Sequence, residues 1–272
     1  MYDFIKQISN EYGFAETFFV PPAALDTWRK DADAAGLENV ALFDDVKSAY
    51  IKAKTVVLLI YPYSPFESDE RISAYYIASN TAYHAAKEVI AAIKEKGFYA
   101  ETARIPLRAY FAQNGIGKVS KNGLLRYAHY GSRIILSAIA TDAAEPCEFV
   151  PKETKVCADD CENCIKACPV NALDGGKIEQ RKCMRYYMDD VPYPDFVLQN
   201  MEQYMGCEIC MHACRENAKL LKRKPTEEEK AAFDAERLAG GDDACARKLV
   251  GKNFTKRSKL MYEAKNFLER NN

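Results

Sequence analysis

The run TVVLLIYPY, residues 55–63, is almost unbrokenly apolar, rich in β-branched residues and ended by proline, the pattern of a buried strand. Beyond it Ile72, Tyr75, Tyr76, Ser79, Ala82, Tyr83, Ala86, Val89 and Ile93 recur at spacings of three and four, and the segment closes on Gly97. That spacing predicts a helix with one stripe turned to a core. Tyrosines in such a stripe either fill the core or line a site for a flat cofactor that needs both apolar area and hydroxyls. FYAETAR, 98–104, reads as a second strand, with Phe98 and Ala100 on one face and Tyr99 and Glu101 on the other. A short helix, LRAYFAQNG, and a glycine-rich turn, NGIGKVSKNG, follow. LLRYAHYGS and RIILSAIATD are expected as two strands joined by a turn near Gly131 to Arg133, closing this half as a hairpin.

The proline- and acid-rich stretch EPCEFVPKET marks a boundary near residue 150. Past Leu221 the pattern is helical: Thr226 and Glu229 form a capping box after Pro225, and Gly240-Gly241 breaks that helix before a last, basic one. The expected organisation is an α/β domain over 1–150, a cysteine-rich domain over 151–221 and a helical extension over 222–272, α+β in class. From Arg247 to Asn272 eight Lys or Arg stand against two Glu, which makes either a solvated helix face or a surface for an acidic partner.

Composition narrows the class. The chain has 272 residues, 38 Lys plus Arg against 39 Asp plus Glu, and 48% hydrophobic residues, so it is globular and is not a polycation built wholly for nucleic acid. Apolar runs such as Val56 to Tyr61 fall far short of the ~20 residues that cross a bilayer. The opening MYDFIKQISN carries Asp3 and Lys6 where a signal peptide is apolar, so a cytoplasmic protein with no membrane partner is expected.

Of ten cysteines, eight fall between Cys157 and Cys214, outside which only Cys147 and Cys245 remain. CADDCENCIKACP has the spacing C-x3-C-x2-C-x3-C-P, one residue longer in the first gap than the bacterial ferredoxin run. Cys183 stands alone, and GCEICMHAC adds Cys207, Cys210 and Cys214. Two cubanes need eight thiolates, and eight are present. By ferredoxin crossover Cys157, Cys161, Cys164 and Cys214 hold one 4Fe-4S cluster, and Cys168, Cys183, Cys207 and Cys210 the other. Two four-cysteine zinc sites are the competing reading of the same thiols, and a disulfide framework is a third.

Beyond the cysteines, AYH (82–84), the segment from Glu101 to Arg108, NGIGKVSKNGLL, YGS (130–132), CADDCENCIKACPVNAL, IEQRKCMRYY and GCEICMHAC together resemble the epoxyqueuosine reductases, cobalamin-dependent iron–sulfur enzymes of tRNA modification. The resemblance implies an upstream domain similar to nitroreductase and cobalamin-processing scaffolds, holding base-off cobalamin, with electrons passing from a flavodoxin or ferredoxin through both clusters to cobalt. It implies cofactor contacts from Tyr76, Tyr83, His84, Arg108, Lys121, Asn122, Ser132, Met184 and Glu208. The family's proton-donating Asp falls on Glu101 here. A carboxyl on a buried strand beside an apolar cofactor is desolvated, the setting in which it can hold and donate a proton near neutral pH; a salt bridge to Arg104 or Arg108 is the structural alternative.

The tRNA-reading members continue into HEAT-like helical repeats, whereas 58 residues follow Cys214 here, room for two or three helices. The expected activity is therefore cobalamin-dependent reduction of a small molecule in preference to tRNA. Epoxyqueuosine reduction on tRNA and electron delivery to a separate corrinoid protein are the alternatives.

Overall fold

The computed structural model describes residues 1–22, 46–67, 72–155, 157–175, 177–188, 191–203, 205–252 and 257–271. In chain order the first part comprises α1 (Tyr2–Glu11), β1 (Glu16–Val20), α2 (Val46–Ala49), β2 (Thr55–Pro62), α3 (Ala74–Glu95), β3 (Ala100–Thr102), α4 (Leu107–Gln113), β4 (Lys118–Val119), β5 (Leu125–Arg126) and β6 (Ile134–Thr141). The cysteine segment adds α5 (Asn163–Ala167), β7 (Leu173–Asp174), β8 (Lys177–Ile178), α6 (Met184–Tyr187), α7 (Asp195–Asn200) and α8 (Ile209–His212). Then come α9 (Glu227–Ala232), α10 (Ala235–Ala239), α11 (Ala244–Val250) and α12 (Arg257–Asn271). No helix among the described residues is long and apolar enough to cross a membrane.

The main sheet has the order β1-β2-β6-β3, with every pairing antiparallel. β2 is apolar without alternation because both of its faces are covered. Val57 and Leu59 join the core against α1 and α3, while Val56, Leu58 and Ile60 join the core around α4 on the opposite face. β6 divides in the same way, Ile135 and Ile139 to one side and Ile134, Ala138 and Ala140 to the other.

The expected hairpin of 124–132 with 133–142 does not form. β6 pairs with β2 and β3, and only Leu125–Arg126 of the earlier segment is strand, paired with β4. Ala128 and Gly131 both take positive φ, and the Tyr127 N–H donates to the Gly131 carbonyl, so the chain turns on itself where a strand would have to continue. The α3 stripe is also narrower than expected. Tyr76, Ala82, Ala86, Val89 and Ile93 are buried, but Tyr83 is 50% exposed.

A third core joins the start of α3 to the cysteine segment and the tail, through Tyr76, Ile77, Met184, Tyr193, Val197, Phe233, Leu238, Leu260 and Phe267. The tail forms four helices, where two or three were expected, because Asp234 caps α10 directly after α9 and the Gly240-Gly241 break leads into α11. Residues 253–256 of the basic stretch lie outside the described residues. Arg223 stitches the tail back onto residue 66. Its backbone bonds to Pro65 and Glu67, its guanidinium lies 4.4 Å from the Phe66 ring centre, and it meets Glu229 with two 2.7 Å contacts.

The expected capping box is present: Thr226 Oγ1 accepts from Glu229 N, and the Glu229 carboxylate accepts from Thr226 N. Burial opposes ionisation of Glu229, but the Arg223 and Thr226 hydrogen bonds outweigh it and hold the carboxyl below its usual 4.5. The charged form is therefore favoured by folding, and the stability it contributes is lost as pH falls through the lowered folded value. Thr226→Ala should cost about 1 kcal/mol in urea denaturation at neutral pH. Below pH 4.5 the stability of Glu229→Gln should fall less steeply with acid than that of the parent.

Candidate functional site

Four of the eight cysteines, Cys164, Cys183, Cys207 and Cys210, have thiols raised by burial and by neighbouring cysteines. For Cys164 burial comes first, then the charges of Cys157 and Cys214. Burial first and then Cys207, Cys183, Cys164 and Cys168 push Cys210 up to about 12. Cys207 is pushed to about 11 by burial, with Cys183 and Cys168 adding to it. Among the described residues no three Cys, His, Asp or Glu side chains are gathered closely enough to hold one metal ion. The donor chemistry fits two thiolate-bound clusters, and a backbone N–H already points at sulfur: Ala172 N lies 3.4 Å from Cys168 Sγ.

The upstream motifs brace these loops. Lys121 donates to the carbonyls of Ala158 (3.1 Å) and Asp159 (2.7 Å), gripping the loop between Cys157 and Cys161. Buried Asn122 turns its Oδ1 to Leu124 N and closes its own turn. Arg126, 3% exposed, directs Nη1 at Cys157 Sγ at 3.7 Å. Ser132 and Asn217 form a paired lock: Ser132 N donates to Asn217 Oδ1 at 3.0 Å, and Asn217 Nδ2 donates to Ser132 Oγ at 2.8 Å. Gly131 is needed here, since a Cβ would come within 2.3 Å of Asn217 Oδ1.

Beside Cys207 lies a cavity of 810 Å³, within the ~300–1,000 Å³ range of small-ligand sites. Phe66, Ile209, Met211 and Phe267 supply its apolar wall, and Arg133, Glu208 and Asn217 its polar one, a make-up that fits a broad, partly apolar macrocycle with a polar rim. Arg133 and Glu208 form a buried ion pair, and the Tyr63 hydroxyl donates to the same carboxylate oxygen at 3.3 Å. Burial, reinforced by Glu208, holds the Tyr63 phenol far above its usual range. Burial and then Arg133 lower His212.

Of the expected cofactor contacts Glu208 lines this cavity. Tyr76 stands directly behind it, so close to Gly206 that a Cβ there would meet its ring at 2.6 Å, and Ser132 reaches it through Asn217. Met184 is buried in the adjoining core. The others are not gathered there. Tyr83 and His84 stack edge-on at 5.3 Å on the exposed flank of α3, and Arg108 donates to the Gly123 carbonyl.

Glu101 sits half-buried on β3 opposite Ala140. The Tyr99 phenol donates to its carboxylate, in place of the Arg104 or Arg108 salt bridge that the sequence allows. Burial and then that hydrogen bond raise the Tyr99 phenol above its usual range. Sequence reasoning missed Arg126, Arg133, Asn217 and Tyr63. The available signal was the lone cation inside each apolar segment, LLRYA and GSRIIL.

No family model matches the chain. It is similar to the epoxyqueuosine reductase of Synechocystis, 28% identical over 122 residues that span 43% of this chain and 41% of that protein. The match thus covers about two fifths of the curated relative's length. Among solved structures, an epoxyqueuosine reductase with a tRNA-Tyr epoxyqueuosine-modified tRNA stem loop has a TM-score of 0.76 at 18% identity, covering 98% of this chain and 80% of that one. A reductive dehalogenase described with a mechanism for B12-dependent dehalogenation has a TM-score of 0.51 at 15% identity, over 96% of this chain and 35% of that one. The resemblance to epoxyqueuosine reductases read from the sequence is borne out, and the fold, mixed helix and sheet, is the one they share.

The expectation of a small molecule in preference to tRNA is overturned, because the stem loop is seated on a protein whose fold this chain matches almost from end to end. That expectation rested on the length after Cys214 and on net charge. Net charge averages over the whole surface, whereas a phosphate backbone meets only a local part of it.

Proposed function

We propose that this chain is an oxidoreductase of the epoxyqueuosine reductase kind, acting on epoxyqueuosine in tRNA through two 4Fe-4S clusters and base-off cobalamin. What supports the reading is the fold shared with an epoxyqueuosine reductase over 98% of this chain, together with the eight cysteines from Cys157 to Cys214; the Cys210 thiol is influenced by Cys207, Cys183 and Cys168 and also by Cys164, so the two proposed sets adjoin. Cys161 completes the first set on the loop that Lys121 grips. Electrons enter from a flavodoxin or ferredoxin and pass between the two sets.

In this reading residues 151–221 carry the clusters and most of the corrinoid cavity, residues 1–150 close that cavity through Phe66 and Arg133, and 222–272 brace both. When bound, cobalamin supplies low-valent cobalt for reductive chemistry on the substrate. Glu208, its partner Arg133 and the apolar wall beside Cys207 would hold the corrinoid, with Tyr76 and Ser132 fixing that wall from behind. Burying Glu208 with a guanidinium keeps a charged group at the cavity face that would be too costly alone. Glu101, which lies outside the lining of this cavity, is proposed to hold the proton that the reduction consumes, with the Tyr99 phenol donating to its carboxylate.

The test is anaerobic incubation of the reconstituted, cobalamin-loaded protein and a chemical reductant with an epoxyqueuosine-bearing stem loop, followed by nucleoside mass spectrometry. Conversion to queuosine, one oxygen lighter, is expected. A fully loaded protein that leaves the epoxide untouched would overturn the proposal.

A further inference from the structure

Among the described residues Arg126 is a buried cation whose one carboxylate contact, with Glu216, is long. Its side chain is 3% exposed; the Glu216 oxygen nearest its Nη2 is 3.9 Å away, and that carboxylate is held at 2.7 Å by Lys219. Its Nε is buried with no hydrogen-bond partner, and its Nη1 donates to Cys157 Sγ. A guanidinium taken out of water is costly unless a negative charge stands close by. In the iron–sulfur reading that charge is the thiolate-bound cluster, which is net negative and gains one more unit on reduction. Cys168, in the other set, receives instead a neutral backbone N–H from Ala172.

We propose that Arg126 is a positioning residue that raises the reduction potential of the cluster held by Cys157. A charged donor to a ligating sulfur stabilises the added electron more than an amide does, and hydrogen bonding and net charge at the sulfurs are the means by which a protein sets such potentials. β5 holds the cation in place. Gly117, with φ of +80°, lies so close to it that a Cβ would come within 2.4 Å of the Arg126 carbonyl. Glu216 works against the effect, since it draws part of the guanidinium's field away from the sulfur. The inference rests on the iron–sulfur reading above.

The experiment is a redox titration of the reconstituted full chain, followed by EPR, with iron and sulfide counted on each sample. Arg126→Gln should lower one midpoint by about 59 mV, a tenfold change in a one-electron equilibrium, and leave the other in place. Arg126→Lys, which keeps the charge, should recover part of the shift. Glu216→Gln should move the same midpoint upward. An Arg126→Gln protein with the parent's iron content and two unmoved midpoints, or two midpoints moved equally, overturns the proposal. Should that variant hold only half the iron, Arg126→Lys decides: with full iron content, one midpoint lowered by less than the full shift of about 59 mV supports the role of Arg126, and two unmoved midpoints refute it. A parent protein lacking iron and sulfide would sink the iron–sulfur reading itself, an outcome distinct from either.

Discussion

A chain lacking both Cys157 and Cys214 should retain about four irons after reconstitution, as many as a chain lacking either one alone. The two residues lie 57 positions apart in sequence, and the proposed ligand set joins them with Cys161 and Cys164 around one cluster; both influence the Cys164 thiol. Replacing Cys210 and Cys214 together should instead empty both sites, although only three residues separate them. Cys210 belongs to the proposed set of Cys168, Cys183 and Cys207, so removing it damages the other cluster; its thiol is influenced by these three and by Cys164. Iron and sulfide analysis of the four variants reads the crossover directly. If the Cys157 and Cys214 double variant lost all its iron, or the Cys210 and Cys214 double variant kept half, the ligand sets would be wrong.

Glu101→Gln should lower turnover of the loaded enzyme by about 10²–10⁴, the usual contribution of a positioned proton donor. Gln still accepts the Tyr99 hydrogen bond and fills nearly the same volume on β3, so iron content, cobalamin binding and thermal stability should stay close to the parent's. Glu101→Asp draws the carboxyl back by one methylene and should retain more activity than the Gln variant. Tyr99→Phe frees the carboxyl to rotate and should cost less than the loss of the acid itself. Undiminished turnover in Glu101→Gln would remove this residue from the chemistry, and a parallel loss of cobalamin would reassign it to binding.

What could be read from the sequence was whatever repeats within a short window. β2 showed as an unbroken apolar run and α3 by its period, and the cysteine spacing suggested two four-thiol sets. β1 went unmarked because its five residues, ETFFV, neither alternate nor make a long apolar run, and its burial comes from pairing beside β2. The false hairpin had a similar cause. The apolar residues of 124–132 fill the core near α4 through Leu125 and Tyr127, while the strand partner of β6 lies in another part of the chain, with Thr55 opposite Thr141. Tyr83 fitted the helical period but lies at the edge of the stripe, where a hydroxyl and a ring can stay in water beside Lys87. The groups that support the thiols were hidden for the same reason as the sheet order. Arg126, Asn217 and Arg133 reach across from other segments, and a single sequence holds no sign of which distant loop they meet.

The most direct test of the account is an anaerobic cobalamin titration of the reconstituted protein, read by absorbance and EPR, with iron and sulfide measured on the same sample. About eight irons, about eight sulfides and a tightly held base-off cob(II)alamin signal are predicted. A protein with its full iron and sulfide that binds no cobalamin would contradict the account, leaving an electron carrier in place of a reductase.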